Sequence, residues 1–309
     1  MAIGIAGFVL SARNGWLKPD EADVRLRYAL PQSMFVDIDG QSIHYVDEGS
    51  GDAIILVHGS YGSLLIWNDW AAALSPHYRV IRYDRPPMGL SGTDPEGRYD
   101  SDREQALIAK LADKLGVDRF VLAATSSAGE PAAAYAADHP GQVRGLILAN
   151  IAAGPLAMTP PHYPLWFRSV LWADSWFGGW HPTAFWRGVL EMNFADRSKI
   201  TPALVQQWTD LNNRAQGMKR QPRPSGYIPF TRTPQDLARI AVPTLLLWSD
   251  RDPEVPLETQ GKKALAGLGS RDKALLVIQN CGHMMPIECG IASARKARIF
   301  MDRLSLKPS

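Results

Sequence analysis

The spacing of apolar and polar positions is most regular in the first half of the chain. Residues Val36 to Val46 read as two alternating strands joined at Asp39-Gly40, a pair that tolerates positive φ and so signals a hairpin. Ala53 to Val57 (Ala-Ile-Ile-Leu-Val) is instead a short unbroken apolar run, the pattern of a strand buried on both faces. Runs of the same kind recur at Phe120–Ala124, Gly145–Ala149 and Thr244–Trp248, with weaker versions at Arg79–Tyr83 and Leu275–Ile278. Helix-like stretches lie between them, among them Asp102–Leu115, Ala132–Ala137 and Ile291–Leu304. Strands alternating with helices predict an α/β fold with a mostly parallel sheet covered on both faces.

The alternation breaks between Ile151 and Thr233. That stretch holds six of the ten tryptophans (Trp166, Trp172, Trp176, Trp180, Trp186 and Trp208) and many prolines, with helix-like segments and no clear buried strand. It reads as a helical cap inserted between two sheet strands. The expected organisation is an N-terminal helical extension over 1–32, a core formed by 33–150 and 234–309, and a cap subdomain over 151–233. The opening run Met1 to Leu10 is apolar but far shorter than the roughly 20 residues that span a bilayer. It has no basic leader and no small-x-small cleavage pattern. A docked or amphipathic helix is the expectation, and a weak membrane anchor the alternative.

Composition narrows the class without changing the fold. Of 309 residues, 46% are hydrophobic and 21% charged, as in soluble globular proteins, and the net charge is only +2. No Lys/Arg block stands out, so nucleic acid is not an expected partner. A cytoplasmic location is expected, with membrane association through the N-terminus as the alternative. The two cysteines, Cys281 and Cys289, do not make a secreted disulfide framework and are expected to be buried structural thiols.

The candidate chemistry begins at Phe120-Val-Leu-Ala-Ala-Thr-Ser126-Ser-Ala-Gly. A buried strand ends, a turn of small residues follows, and a helix starts. A nucleophile on such a turn adopts a strained backbone, so its flanks must be small; here they are Ala124 and Ala128. The helix N-terminus points backbone N–H groups at the place where an oxyanion would form. A plain strand–turn–helix junction with a capping serine fits the same residues. Three further signals accompany it. The first buried strand ends in Val57-His-Gly-Ser-Tyr-Gly-Ser63, a carboxylate follows the strand at Leu245-Leu-Leu-Trp-Ser-Asp-Arg-Asp252, and a histidine sits on a post-strand loop at Gln279-Asn-Cys-Gly-His283. No His/Cys/Asp cluster has metal-ligand spacing, so no metal site is expected.

On these motifs the chain resembles the α/β-hydrolase superfamily, in its cap-bearing serine esterase, lactonase and C–C hydrolase branch. The likeness covers roughly residues 33–155 and 234–306, and Tyr83-Asp-Arg-Pro-Pro-Met-Gly-Leu-Ser91 resembles the family's loop after the fourth strand, with Pro87 where Gly is usual. The resemblance implies an eight-stranded, mostly parallel sheet flanked by helices, with the site at the strand C-termini. It implies Ser126 as nucleophile, His283 as base and Asp252 as orienting acid, in the order Ser, Asp, His. It further implies the backbone N–H groups of Ser60 and Ser127 as oxyanion donors. Ser127 as nucleophile would put β-branched Thr125 at its flank, a poor fit. Spacing selects Asp252 over Asp250, which braces the loop, and Glu254 is read as too far along and solvated. His58 is read as shaping the oxyanion loop.

The implied reaction is cleavage of a carboxylic ester or lactone of a small, neutral, hydrophobic or aromatic substrate through an acyl-enzyme, with no cofactor. Tyr61, Trp166 and Trp186 are the candidate substrate contacts, with His162 and His181 as weaker ones. A C–C hydrolase of the meta-cleavage type and a catalytically silent ligand-binding protein are the alternatives. A monomer or homodimer is expected.

Overall fold

The computed structural model describes residues 2–157, 163–214, 227–228 and 230–305. Helices α1 (Ala2–Arg13) and α2 (Glu21–Tyr28) come first, followed by strands β1 (Met34–Ile38), β2 (Gln41–Glu48) and β3 (Ala53–Val57). Then come α3 (Asn68–Leu74), β4 (Arg79–Tyr83), α4 (Ser101–Lys114), β5 (Phe120–Thr125), α5 (Gly129–Asp138) and β6 (Val143–Ala149). The chain then leaves the sheet through the two-residue strand β7 (Leu156–Ala157), helices α6 (Leu165–Asp174), α7 (Thr183–Asn193) and α8 (Pro202–Arg214), and the two-residue strand β8 (Tyr227–Ile228). It returns through α9 (Thr233–Arg239), β9 (Thr244–Ser249), α10 (Lys262–Gly267), β10 (Lys273–Ile278), α11 (Met285–Glu288) and α12 (Gly290–Ser305).

Eight strands form one sheet in the order β1-β2-β4-β3-β5-β6-β9-β10, and β7 pairs with β8 separately. Strand β2 is antiparallel to both its neighbours, and every other pair in the eight-stranded sheet is parallel, while β7 and β8 pair antiparallel. The unbroken apolar strands are explained by what lies on each face. Ile55, Leu122, Leu146 and Leu246 pack under α4, α5, α9 and α10, while Ile54, Leu56, Val121, Ala123 and Ile147 pack under α3 and α12. Both faces are therefore core, and alternation has no solvent side to mark. A third cluster, Phe185, Trp186, Leu190, Phe194, Val205 and Trp208, holds α7 and α8 together away from the sheet. Helix α2 is tied to α8 by Tyr28 and Arg27, which both donate to Asp210 Oδ2 at 2.7 and 2.6 Å. Among the described residues no helix is long and apolar enough to cross a membrane.

The loop after β4 is organised by one buried carboxylate. Asp84 accepts the Leu64 and Leu90 N–H groups, each at 2.6 Å, and pairs with His44 Nδ1 at 2.6 Å. Burial opposes its ionisation, but these donors outweigh it and hold the carboxyl below its usual range. A Cβ on Gly89 would sit 2.0 Å from the Asp84 carboxyl carbon, so the chain wraps the carboxylate with no room for a side chain. Asp84→Ala would strand two backbone donors and a buried imidazole. Urea unfolding should show stability lowered by about 3–5 kcal/mol, with the slope against urea unchanged.

Candidate active site

The turn after β5 has the backbone that the small residues predict. Ser126 has φ of +55°, and a single 3-10 turn, Ser126–Ala128, leads into α5. Close packing on both sides fixes it. A Cβ on Gly59 would lie 2.7 Å from Ser126 Cβ, and one on Gly129 would lie 2.3 Å from Ile151 Cγ2. The first presses the His58-Gly59-Ser60 loop against the serine, and the second presses α5 against the start of the next loop.

Ser126, His283 and Asp252 are brought together from β5, β10 and β9. Ser126 Oγ lies 2.9 Å from His283 Nε2, and His283 Nδ1 lies 2.7 Å from Asp252 Oδ2. The other Asp252 oxygen accepts the N–H groups of Glu254 (2.8 Å) and Val255 (2.9 Å), which fixes the carboxylate's orientation. With Nδ1–H donating to Asp252, Nε2 is left free to accept from the serine. Asp250 instead accepts the Cys281 N–H at 3.1 Å and braces the histidine loop.

Glu254 departs from its sequence reading. It is exposed, yet its Oε2 lies 3.4 Å from His283 Nε2, because the Asp252 turn folds the chain back over the ring. Burial alone would lower the His283 pKa, but the carboxylates of Asp252 and then Glu254 outweigh it and raise the value to about 9.

The side chains of Ser60 and Ser127 meet beside the elbow, Oγ to Oγ at 2.9 Å. His58 Nε2 accepts the Arg85 N–H at 2.8 Å, so Nδ1 carries the proton and donates to the Gly59 carbonyl at 2.8 Å. Burial first, and then the Arg85 charge, lower its pKa to about 4, so this imidazole stays neutral. Arg85 donates to the His58 carbonyl (2.9 Å) and to Ser127 Oγ (3.1 Å) and is paired with half-buried Glu104. The Arg85–Glu104 pair escapes sequence reading because no local pattern links the two residues.

Two further residues position the histidine, and neither carries a motif. Asn150, at φ +47°, bonds both the N–H and the hydroxyl of Ser249 (2.8 and 2.9 Å) and donates to the His283 carbonyl at 3.1 Å. It joins the ends of β6, β9 and the histidine loop. Buried Glu288 accepts the N–H groups of Gly282 and Asp196, each at 2.6 Å, and the Asn193 carbonyl accepts the His283 N–H at 2.8 Å. A Cβ at Gly282 would fall 2.3 Å from that carbonyl.

Cys281 and Cys289 are not the free thiols expected from sequence. They are joined in a disulfide, their Cα atoms 6.3 Å apart, because the single turn of α11 folds the chain back on itself. Of the candidate substrate contacts, Tyr61 and Trp186 meet with ring centroids 5.4 Å apart, and Trp186 is buried with its indole N–H unpartnered among the described residues. Trp166 stands apart on α6, its ring against Phe167 and its outer side exposed. His181 is paired with buried Asp174 at 2.7 Å and stacks on Phe185. His162 lies outside the described residues.

A sheet of this order, with a serine, a carboxylate and a histidine on three loops at its strand ends, defines a hydrolase scaffold. The chain belongs to the alpha/beta hydrolase family, whose sequence profile matches residues 54–294. It is similar to a 2-hydroxy-6-oxononadienedioate/2-hydroxy-6-oxononatrienedioate hydrolase of Pseudomonas putida, 28% identical over 257 residues, 78% of this chain and 85% of that enzyme. Its fold is similar to that of a membrane phospholipase A, a bacterial virulence factor (TM-score 0.71, 26% identity, 99% of this chain and 97% of that one). It also matches an enol-lactonase from Burkholderia xenovorans (TM-score 0.68, 20% identity, 87% of this chain and 100% of that one).

The charge around His283 makes its titration a direct test of this geometry. The ring-proton NMR midpoint should fall near 9. Glu254→Gln should lower that midpoint by about one unit or less, since this carboxylate is exposed and screened. Asp252→Asn should lower it further.

Proposed function

We propose that the protein is a serine hydrolase that cleaves a carboxylic ester or lactone through an acyl-enzyme on Ser126. The observation that carries this reading is the continuous relay from Ser126 Oγ through His283 to Asp252, at 2.9 and 2.7 Å. Ser126 Oγ attacks the ester carbonyl carbon while His283 Nε2 takes the hydroxyl proton. The oxyanion is held by the backbone N–H groups of Ser60 and Ser127, each donor worth about 3–4 kcal/mol in the transition state. The intermediate collapses, the alcohol leaves with the proton from His283, and the acyl group stays on Ser126. Water then attacks, its proton passing to His283, and the acid is released with Ser126 restored.

The segment 151–233 serves in this reading as a cap over the nucleophile. Support comes from Asn212, which donates to the Tyr61 carbonyl at 3.1 Å, and from the Tyr61–Trp186 contact. The unpartnered Trp186 indole N–H suits a polar atom of an otherwise apolar substrate. The likeness to a phospholipase A favours an acyl ester.

The Pseudomonas putida relative favours a second reading, hydrolysis of a C–C bond in a substrate bearing carboxylates. Against it stands Arg85, the cation beside the elbow, whose charge is already matched by Glu104.

Ser126→Ala should abolish labelling by a fluorophosphonate probe and cut ester hydrolysis by several orders of magnitude, with the fold kept. Retained activity with loss in Ser127→Ala would overturn the assignment. Because the base must be neutral, kcat/KM should climb with pH and level off above about 9. Matched neutral and carboxylate-bearing esters should differ in favour of the neutral series, and the reverse preference would favour C–C cleavage.

A further inference from the structure

From Ala2 to Ala12 helix α1 carries no charged residue and one polar one, Ser11. A helix of that kind is normally buried. Here Ala12 faces inward, but Phe8 and Leu10 are exposed. The helix rests on the turn that follows α6. Phe8 packs edge-on against Phe177 and Trp180 at 5.5 and 5.7 Å, and the Trp180 indole donates to the Leu17 carbonyl at 3.0 Å. Helix α6 itself turns Phe167 and Asp174 inward and leaves Leu165, Trp166 and Trp172 outside, and Trp176, two residues past its end, is exposed as well. Trp16, just beyond α1, is 76% exposed, Leu165 is 77% exposed and Trp172 is 67% exposed. Large side chains left this open on and beside two adjoining elements form an apolar face without a cover among the described residues.

The charges at this face indicate what covers it. Across residues 2–18 and 163–180 the exposed charged side chains are Arg13, Lys18 and Arg168, and the single acid, Asp174, is buried against His181. None of the three cations has an ion-pair partner among the described residues. The acids that follow Lys18 belong to the start of α2, where Asp20 caps the helix and Glu21 pairs with Arg214. Indole rings at the edge of an apolar face, beside these three cations, match the headgroup level of an anionic bilayer. A second copy of this chain meeting the face about a two-fold axis would bring no exposed acid from these two segments to meet the cations. At 12 residues α1 is about 18 Å long, against a hydrocarbon core of about 30 Å.

We propose that α1 and the outer face of α6 form a peripheral docking surface for anionic phospholipid membranes. The aromatic and aliphatic side chains enter the interface, and Arg13, Lys18 and Arg168 meet lipid phosphates. The surface is separate from the chemistry at Ser126 and does not depend on the reaction assigned there.

The test is co-sedimentation of the full chain with vesicles of phosphatidylcholine alone, and of phosphatidylcholine with about one-third phosphatidylglycerol. The chain should bind the anionic vesicles at least about tenfold more tightly than the neutral ones. The double variant Trp172→Glu/Trp176→Glu should lose about tenfold or more of that affinity while its far-UV circular dichroism and thermal unfolding match the wild type. Arg13→Gln/Arg168→Gln should keep the fold and lose the preference for anionic lipid. The proposal is overturned if the wild type stays in the supernatant with both vesicles, or if the tryptophan pair leaves binding unchanged. It is equally overturned if analytical ultracentrifugation without lipid shows a dimer that Trp172→Glu/Trp176→Glu dissociates, since a second copy would then cover the face.

Discussion

Ser126 holds a left-handed backbone at φ +55°, a conformation that costs a residue with a side chain about 1–3 kcal/mol. Much of the surrounding structure exists to impose it. Strand β5 is buried on both faces and cannot shift to relieve the turn, α5 is pressed onto Ile151 at Gly129, and the Gly59 backbone closes against Ser126 Cβ. Each contact admits only the smallest residue. Ala124 and Ala128 are fully buried beside the turn, which is why alanine serves where glycine is more usual. The strain is offset by the whole sheet rather than by any one neighbour, and it leaves the serine hydroxyl pointing at His283.

The histidine is governed by a different principle. Its loop also turns through a left-handed residue, Asn280 at φ +55°, a residue type that tolerates that backbone, and the position of the ring comes from hydrogen bonds with distant parts of the chain: Asn150 from β6, Asn193 from α7 and Glu288 from α11. The serine is thus located by packing and the histidine by polar contacts. Polar contacts in a buried setting carry sharp penalties when one partner is lost, so the two halves of the relay should differ in how they fail.

This division explains what was legible in the sequence. The strands could be read because burial on both faces leaves unbroken apolar runs, and the elbow because its sterics demand small residues at fixed offsets. The order of serine, aspartate and histidine followed from the same local patterns. Asn150, Glu288 and the Arg85–Glu104 pair were not legible. Each acts through partners set by topology, and an asparagine or glutamate with such a task looks in sequence like any other. Glu254 was misread because the distance that matters runs back over the Asp252 turn, and linear spacing does not record a reversal. The disulfide was missed for a related reason: one helical turn between Cys281 and Cys289 converts eight residues of separation into adjacency.

The Asn193 carbonyl and the Glu288 carboxylate suspend the histidine loop from the end of α7 and the Asp196 segment that follows it. That attachment works as a tether. The backbone that ends α7 also holds the histidine, so the 2.9 Å reach from His283 to Ser126 depends on a segment inserted between two strands of the sheet. The serine stands on the sheet, the histidine hangs in part from the insertion, and the two are joined across that seam.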